Sequence, residues 1–259
     1  MDDLRPPSVP AFCAVTVARV ATLTPHLVRI TLAGDDLAHL PADGPAAQVK
    51  LLFPAAGQDW PALPEAGPDG LAWPAGQPLP VVRTYTPRRF DPAGRELDID
   101  FVLHDRGGTA STWARRARPG DRMVVAAGRG RYLPDPAADW HVVAGDETAL
   151  PAIATIVAAL PAGTPAMVLV EVAGPDDRLP FDAATEADVT WVYRDGAPGE
   201  ALERVLRATD LPPGDGRVFV AAEAAAVRRI RRHLLADRAL AKEQVYTRGY
   251  WTAGPSALG

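Results

Sequence analysis

The chain has 259 residues, enough for two ordinary domains or one large one with an ample core. Its formal net charge of −5 argues against a nucleic-acid binder, and its single cysteine, Cys13, excludes an intrachain disulfide and any multi-thiolate metal or iron–sulfur site. With 27 Pro and 22 Gly it is rich in turns without reaching a low-complexity composition.

Met1–Pro10 carries charges and prolines with no apolar run behind it, so no signal peptide is expected, and no stretch has the length of a membrane span. A cytoplasmic protein is the expectation. Val15, Val17 and Val20 open a first strand, Leu27–Leu32 alternates before stopping at Ala33-Gly34-Asp35, and Val49–Phe53 ends at Pro54. From Ala55 to Pro80, Gly, Pro, Ala and Asp dominate around Trp60 and Trp73, which reads as a long excursion lying over the strands. Strands at Arg83–Arg88, Leu97–Leu103 and Arg122–Ala127 follow. Six strands with one helix before the last predict a small closed antiparallel barrel.

Within the fourth strand, Arg83-Thr84-Tyr85-Thr86-Pro87-Arg88 sets a cation and an aromatic ring on one face and two hydroxyls on the other. Such a segment can hold a phosphate, stack a planar ring and hydrogen-bond its edge; it also fits an ordinary barrel strand with a surface Arg and a half-buried Tyr. The helix is expected from Thr109 or Ser111, as N-cap, to Ala117. Gly107 and Gly108 just before it would let an anion approach bare backbone N–H groups, or simply precede a plain capped helix. Trp113 could stack on a ring or fill the barrel end.

Pro134-Asp135-Pro136 reads as a linker, dividing the chain into domains at 1–135 and 136–259. Beyond it strands alternate with helices: His141–Ala144, then Ala149–Leu160; Ala166–Val172; Val189–Tyr193, then Gly199–Ala208; Val218–Ala221, then Glu223–Ala236; and a last strand Gln244–Thr247. That order specifies a parallel sheet, with its ligand site at the carboxyl ends of the strands. Gly145-Asp146-Glu147-Thr148-Ala149-Leu150-Pro151 supplies one such end, with Thr148 expected as N-cap and Pro151 in the first turn. No G-x-G-x-x-G fingerprint occurs. The helix after Glu223 carries Arg228, Arg229, Arg231 and Arg232 mostly on its solvated face, and the tail pair Tyr250-Trp251 is too apolar to be left in water. The five histidines have no metal-ligand spacing, so no metal site is expected.

In this order, Gln48–Pro54, Arg83–Arg88, Asp100–His104, Gly107–Ala114, Gly145–Ile153, Val220–Glu223 and Gly249–Trp251 resemble the siderophore-interacting protein family of FAD-dependent ferric-siderophore reductases, within the ferredoxin–NADP reductase-like superfamily. The resemblance implies a six-stranded FAD-binding barrel followed by a Rossmann-like NAD(P)H domain. It implies that Arg83 contacts the FAD pyrophosphate with Thr84 beside it, that Tyr85 stacks on the isoalloxazine, and that Thr86 reaches its N5. Tyr85 and Thr86 are then the catalytic pair. Val102, Leu103 and His104 would line the nucleotide, Gly108, Thr109, Ala110, Ser111 and Trp113 would form its phosphate and adenine side, and Asp146 and Thr148 would close over the flavin. Electrons would come from NAD(P)H or a ferredoxin, and a ferric siderophore would meet Arg88, Arg248 and Trp251. A monomer is expected.

Two positions depart from the family pattern: Thr252 stands where a basic residue usually follows the Tyr-Trp pair, and Ala222 where Gly is common. Arg248, Arg88 or Arg89 are the candidates to compensate. These departures leave open an oxidoreductase acting on an organic substrate, and a non-catalytic flavin- or siderophore-binding protein.

Overall fold

The computed structural model describes residues 12–42, 44–67, 70–104, 107–128, 130–180 and 187–254; the Met1–Pro10 stretch read above lies outside them. Among the described residues the chain divides into two units, one of residues 12–21, 28–42 and 47–130, the other of residues 22–27, 44–46 and 131–254.

The first unit is built on an antiparallel sheet. Its strands are β1 (Phe12–Thr24), β2 (Leu27–Ala33), β3 (Val49–Phe53), β6 (Val81–Tyr85), β7 (Pro87–Asp91), β8 (Glu96–Val102) and β9 (Arg122–Ala127), while β4 (Glu65–Gly67) and β5 (Gly70–Ala72) pair only with each other. The order is β6-β3-β9-β1-β2-β8-β7, with Phe12 of β1 opposite Ala126 of β9. This makes seven strands where six are expected. The Arg83–Arg88 segment is two strands, because the chain leaves β3 after Tyr85, turns at Thr86 and pairs with β8 from Pro87 onward. Thr86 therefore joins the two ends of the strand order.

The alternation of β8 decides the faces. Leu97, Ile99 and Phe101 point into a core shared with Val15, Ile30, Leu32, Leu51, Phe53 and Val125, all buried. Asp98 and Asp100 point the other way and are nevertheless buried, because side chains from β2 and β7 cover them: Thr31 donates to Asp98 at 2.6 Å, Arg89 to Asp98 at 2.9 Å, and Arg29 forks onto Asp100 at 2.7 and 2.8 Å. The excursion between β3 and β6 does lie over the sheet: Trp60 and Leu63 pack with Phe12 on Leu52, Val124 and Ala126, and Arg122 stands 4.2 Å over the Trp60 ring.

The second unit is a five-stranded parallel sheet in the order β12-β11-β10-β13-β14, from β10 (Trp140–Asp146), β11 (Ala166–Val172), β12 (Ala187–Tyr193), β13 (Gly216–Glu223) and β14 (Val245–Trp251). The near-continuous apolar runs of β10, β11 and β13 are what a sheet buried on both faces requires. Helices α3 (Glu200–Ala208) and α4 (Ala224–Arg232, continuing as a π-helical turn His233–Asp237) bury Leu202, Leu206, Val227 and Ile230 against Val142, Ala144, Val218 and Val220. Helix α2 (Leu150–Ala158) packs on β10 and β11, and Gly145 permits that approach, since a Cβ there would stand 2.4 Å from the Ala221 carbonyl and 2.5 Å from the Ala149 methyl. Of the α4 arginines, Arg228 and Arg232 are exposed as expected, whereas Arg229 pairs with Glu203 and Arg231 bonds to the Val245 carbonyl and the Thr247 hydroxyl. No helix among the described residues is long and apolar enough to cross a membrane.

Candidate functional site

On β6 the period of two holds: Val82 and Thr84 are exposed, while Val81, Arg83 and Tyr85 are half-buried on the opposite face. Tyr85 packs on the core at 4.7 Å from Phe101, and the row continues from Phe101 to Trp113 at 5.6 Å and from Trp113 edge-on to Phe53 at 5.8 Å. Trp113 thus fills the core margin. Burial pushes the Tyr85 hydroxyl well above the usual tyrosine range, so it stays a neutral donor. The Arg83 guanidinium donates to the Val82 carbonyl at 3.0 Å and makes no ion pair among the described residues. Thr86 is buried and Thr84 exposed, because the bend at Thr86 breaks the face they were expected to share.

A register shift between Pro87 and Arg89 on β7 gives the two arginines that follow different surroundings. Arg89 is committed to Asp98 and Glu96, while Arg88 makes no ion pair among the described residues. Of the two candidates on this strand for an anionic ligand, Arg88 alone keeps its charge uncompensated.

At the end of β8, Val102 and the following Leu103 are half-buried and His104 is exposed. The Ser111 hydroxyl is drawn back to this strand end, accepting from the His104 N–H at 3.2 Å and donating to its carbonyl at 3.4 Å. It is therefore not the helix cap. Neither is Thr109: the N-cap of α1 (Thr109–Ala114) is Gly108, whose carbonyl accepts from the Thr112 N–H at 2.9 Å, and the helix stops three residues short of Ala117. Gly107 and Gly108 sit at φ +72° and +125°, backbone that a side chain rarely adopts, and a Cβ on Gly108 would stand 3.4 Å from the His104 imidazole. The helix start is left bare of side-chain caps, with Ala110 buried beneath it.

In the second unit the carboxyl ends of β10, β13 and β14 converge on Asp146, which is 1% exposed. Its Oδ1 accepts from the Thr148 N–H at 3.0 Å and from the Thr148 hydroxyl; its Oδ2 accepts from the Glu223 N–H at 3.1 Å and from Trp251 Nε1 at 2.7 Å. Asp146, not Thr148, is the cap of the turn that leads into α2. Burial, reinforced by the neighbouring Glu147, pushes its carboxyl up to about 6 in spite of these four donors. Glu223 caps α4 through Ala225 and Ala226 and accepts from the Ala253 N–H at 3.3 Å. Arg194 bridges Glu147 and the fully buried Glu171 nearby. The sequence reading gives Asp146 and Trp251 to different ligands; the structure bonds them to each other across β13, a link whose only sequence signal is an indole donor at the end of the last strand. Arg248, half-buried on β14, makes no ion pair among the described residues, and Thr252 is exposed.

Two family models match almost the whole described length: the siderophore-interacting FAD-binding domain over residues 16–132 and the siderophore-interacting protein model over residues 138–254. The chain belongs to the siderophore-interacting protein family. A siderophore utilization protein from T. fusca superposes with a TM-score of 0.84 at 39% identity, covering 96% of each chain. The ferric vibriobactin reductase ViuB of Vibrio cholerae is 32% identical over 88% of this chain and 85% of its own, and the NADPH-dependent ferric-chelate reductase of Escherichia coli is 29% identical over 97% and 95%. The fold extends further, to a ferredoxin NADP+ reductase from Neisseria gonorrhoeae at 16% identity and a TM-score of 0.66 over 93% of this chain and 99% of that one.

Proposed function

We propose that this family member is an FAD-dependent ferric-siderophore reductase, taking electrons from NAD(P)H or a ferredoxin and releasing Fe(II) from a ferric chelate. The observation that carries the reading is the β6 corner. Arg83, with no acidic partner among the described residues, shares a face with the half-buried Tyr85, and the chain turns at the buried Thr86 immediately beyond. That donor set fits a flavin nucleotide, which needs a cation for its pyrophosphate and an aromatic face for its ring. The positive-φ Gly107-Gly108 pair, followed by a helix start with no side-chain cap, fits the anionic tail.

In this reading Thr86 closes a barrel by linking its two edge strands, and Arg83, Thr84, Tyr85, Thr86, Val102, Leu103, His104, Gly108, Thr109, Ala110, Ser111 and Trp113 hold FAD. Bound there, FAD supplies the conversion of a two-electron hydride donor into one-electron deliveries to Fe(III). Tyr85 orients the ring and shields one face from water, and Thr86 offers its hydroxyl to the ring edge. Iron then leaves because Fe(II) binds hard anionic chelators less tightly than Fe(III). Arg88 and Arg248, each without an acidic partner among the described residues, are the cations that an anionic chelate could use. The carboxyl edge of the second sheet, with Asp146 and Thr148, belongs to the nicotinamide. A cytoplasmic monomer that binds no nucleic acid completes the reading.

The exposed Thr252 favours a second reading, in which the acceptor is an organic molecule rather than an iron chelate. One cuvette separates the two. The purified protein is expected to show a flavin absorbance that bleaches anaerobically with NADPH or NADH and returns on adding a ferric hydroxamate or catecholate chelate, with Fe(II) appearing in a ferrous trap. Bleaching without iron release selects the second reading, and a protein that holds no FAD overturns both. Arg83→Ala is expected to weaken FAD retention by roughly 10–100-fold, the equivalent of one charge-assisted hydrogen bond of about 1.5–3 kcal/mol; fluorescence titration with FAD checks it.

A further inference from the structure

An ionised carboxylate offers about four lone-pair sites. At Asp146 two donors reach each oxygen, from Thr148, Glu223 and Trp251, so it has no acceptor capacity left for a flavin or a nicotinamide. Adjacent strands lie about 4.8 Å apart, and β13 separates β10 from β14, so the bond from Trp251 spans roughly 10 Å of sheet edge. An indole is long enough for this and presents a single N–H with no competing acceptor. A β-bulge sets it up: Ala222 pairs with Gly249 whereas Glu223 pairs with Trp251, a shift of register at the strand end. Bulges of this kind re-aim a side chain. Glu223 then fixes the chain just past the indole by accepting from the Ala253 N–H.

We propose that Asp146 is a positioning residue that works through Trp251: its carboxylate locks the indole across the carboxyl ends of β10, β13 and β14, and the indole is the surface this edge presents to the planar ring of the electron donor. The proposal rests on the reading that the nicotinamide uses this edge. Trp251 is half-buried rather than enclosed, and its Nε1 is pinned at 2.7 Å. The charged groups around the lock are Glu147, held by Arg194, on the β10 side, and Glu223, near Arg228, on the β13 side. The lock therefore contains no cation of its own, and it loosens when Asp146 takes up a proton.

The test uses the FAD-loaded protein and three variants, Asp146→Asn, Trp251→Phe and the double variant. Each single change is expected to raise KM for NADPH or NADH about 10-fold with little change in kcat, and the double variant is expected to stay near 10-fold instead of reaching about 100-fold, because both changes remove one interaction. FAD content is expected to be unchanged throughout. Among the indole signals of a 1H–15N spectrum, the one lost in Trp251→Phe is expected to move with pH in the wild type and to stop moving in Asp146→Asn. Multiplying effects, or loss of FAD in Asp146→Asn alone, would overturn the proposal, the latter by showing that the carboxylate touches the flavin. If Asp146→Asn does not fold, the wild-type indole titration decides, and a signal insensitive to pH between 4 and 8 sinks the lock. Absence of turnover with every donor in the wild type would remove the functional reading while leaving that spectrum to judge the lock by itself.

Discussion

Two regions of this protein withdraw aspartates from water, and they compensate them differently. On the flank of β8, Asp98 and Asp100 face guanidinium groups, with Arg29 forked onto Asp100 and Arg89 onto Asp98 and Glu96. At the carboxyl edge of the second sheet, Asp146 faces only N–H and O–H dipoles, and its nearest full charge is the like-charged Glu147. Four neutral donors do not offset the burial of Asp146. The first arrangement is scaffold, and the second is poised near neutral pH, where perturbed groups at a ligand edge do their work.

Removing a guanidinium should separate the regions most sharply. Arg29→Ala leaves the Asp100 side chain, 2% exposed, without its partner, and a loss of about 3–5 kcal/mol is expected in urea unfolding at pH 7. Adding Asp100→Asn should recover most of it; no recovery would mean that Arg29 acts through packing instead. Next in size is the pH dependence. Between about pH 4 and 6 folded Asp146 keeps a proton that the unfolded chain releases, so its contribution to stability falls as pH rises through that window. Glu96, held down to about 2 by Arg19 and Arg89, runs the other way: its contribution is present above about pH 4.5 and is lost as pH falls toward 2. Thermal melts from pH 3 to 8 should show both slopes, the first abolished in Asp146→Asn and the second in Glu96→Gln.

Smaller effects refine the contrast. Thr148→Val deletes the hydroxyl donor to Asp146 and should cost about 1–2 kcal/mol while moving the Trp251 indole titration to higher pH. Arg89→Gln should cost under about 1 kcal/mol, since its side chain is 43% exposed and solvent screens the pair. A loss as large as that of Arg29→Ala would erase the distinction drawn between exposed and buried partners.

Much of this was legible beforehand where period and composition act locally. The βα alternation of the second half, the helix opening at Glu223 and the strand expected at Leu97–Leu103 follow from residue type and spacing, and the structure bears them out. What escaped the sequence depends on contacts between distant segments. The break at Thr86 is invisible because both halves of Arg83–Arg88 have strand character; only the change of partner from β3 to β8 defines it. Ser111 has the residue type of a cap, yet the backbone of His104 competes for its hydroxyl. Asp146, not Thr148, caps its turn because the strand end supplies the better-placed acceptor.

The pairing of β1 with β9 has a consequence for how the protein is made. Phe12 cannot meet Ala126 until the ribosome has delivered the strand that carries it, and at about 5–20 residues per second β1, whose other edge β2 can pair at once, waits roughly 5–20 s with its β9 edge open. The second unit is assembled from sequential neighbours along β10, β11 and β12 and waits far less for its first pairs. During synthesis, then, the nascent chain has its longest demand for chaperone protection before its second half exists.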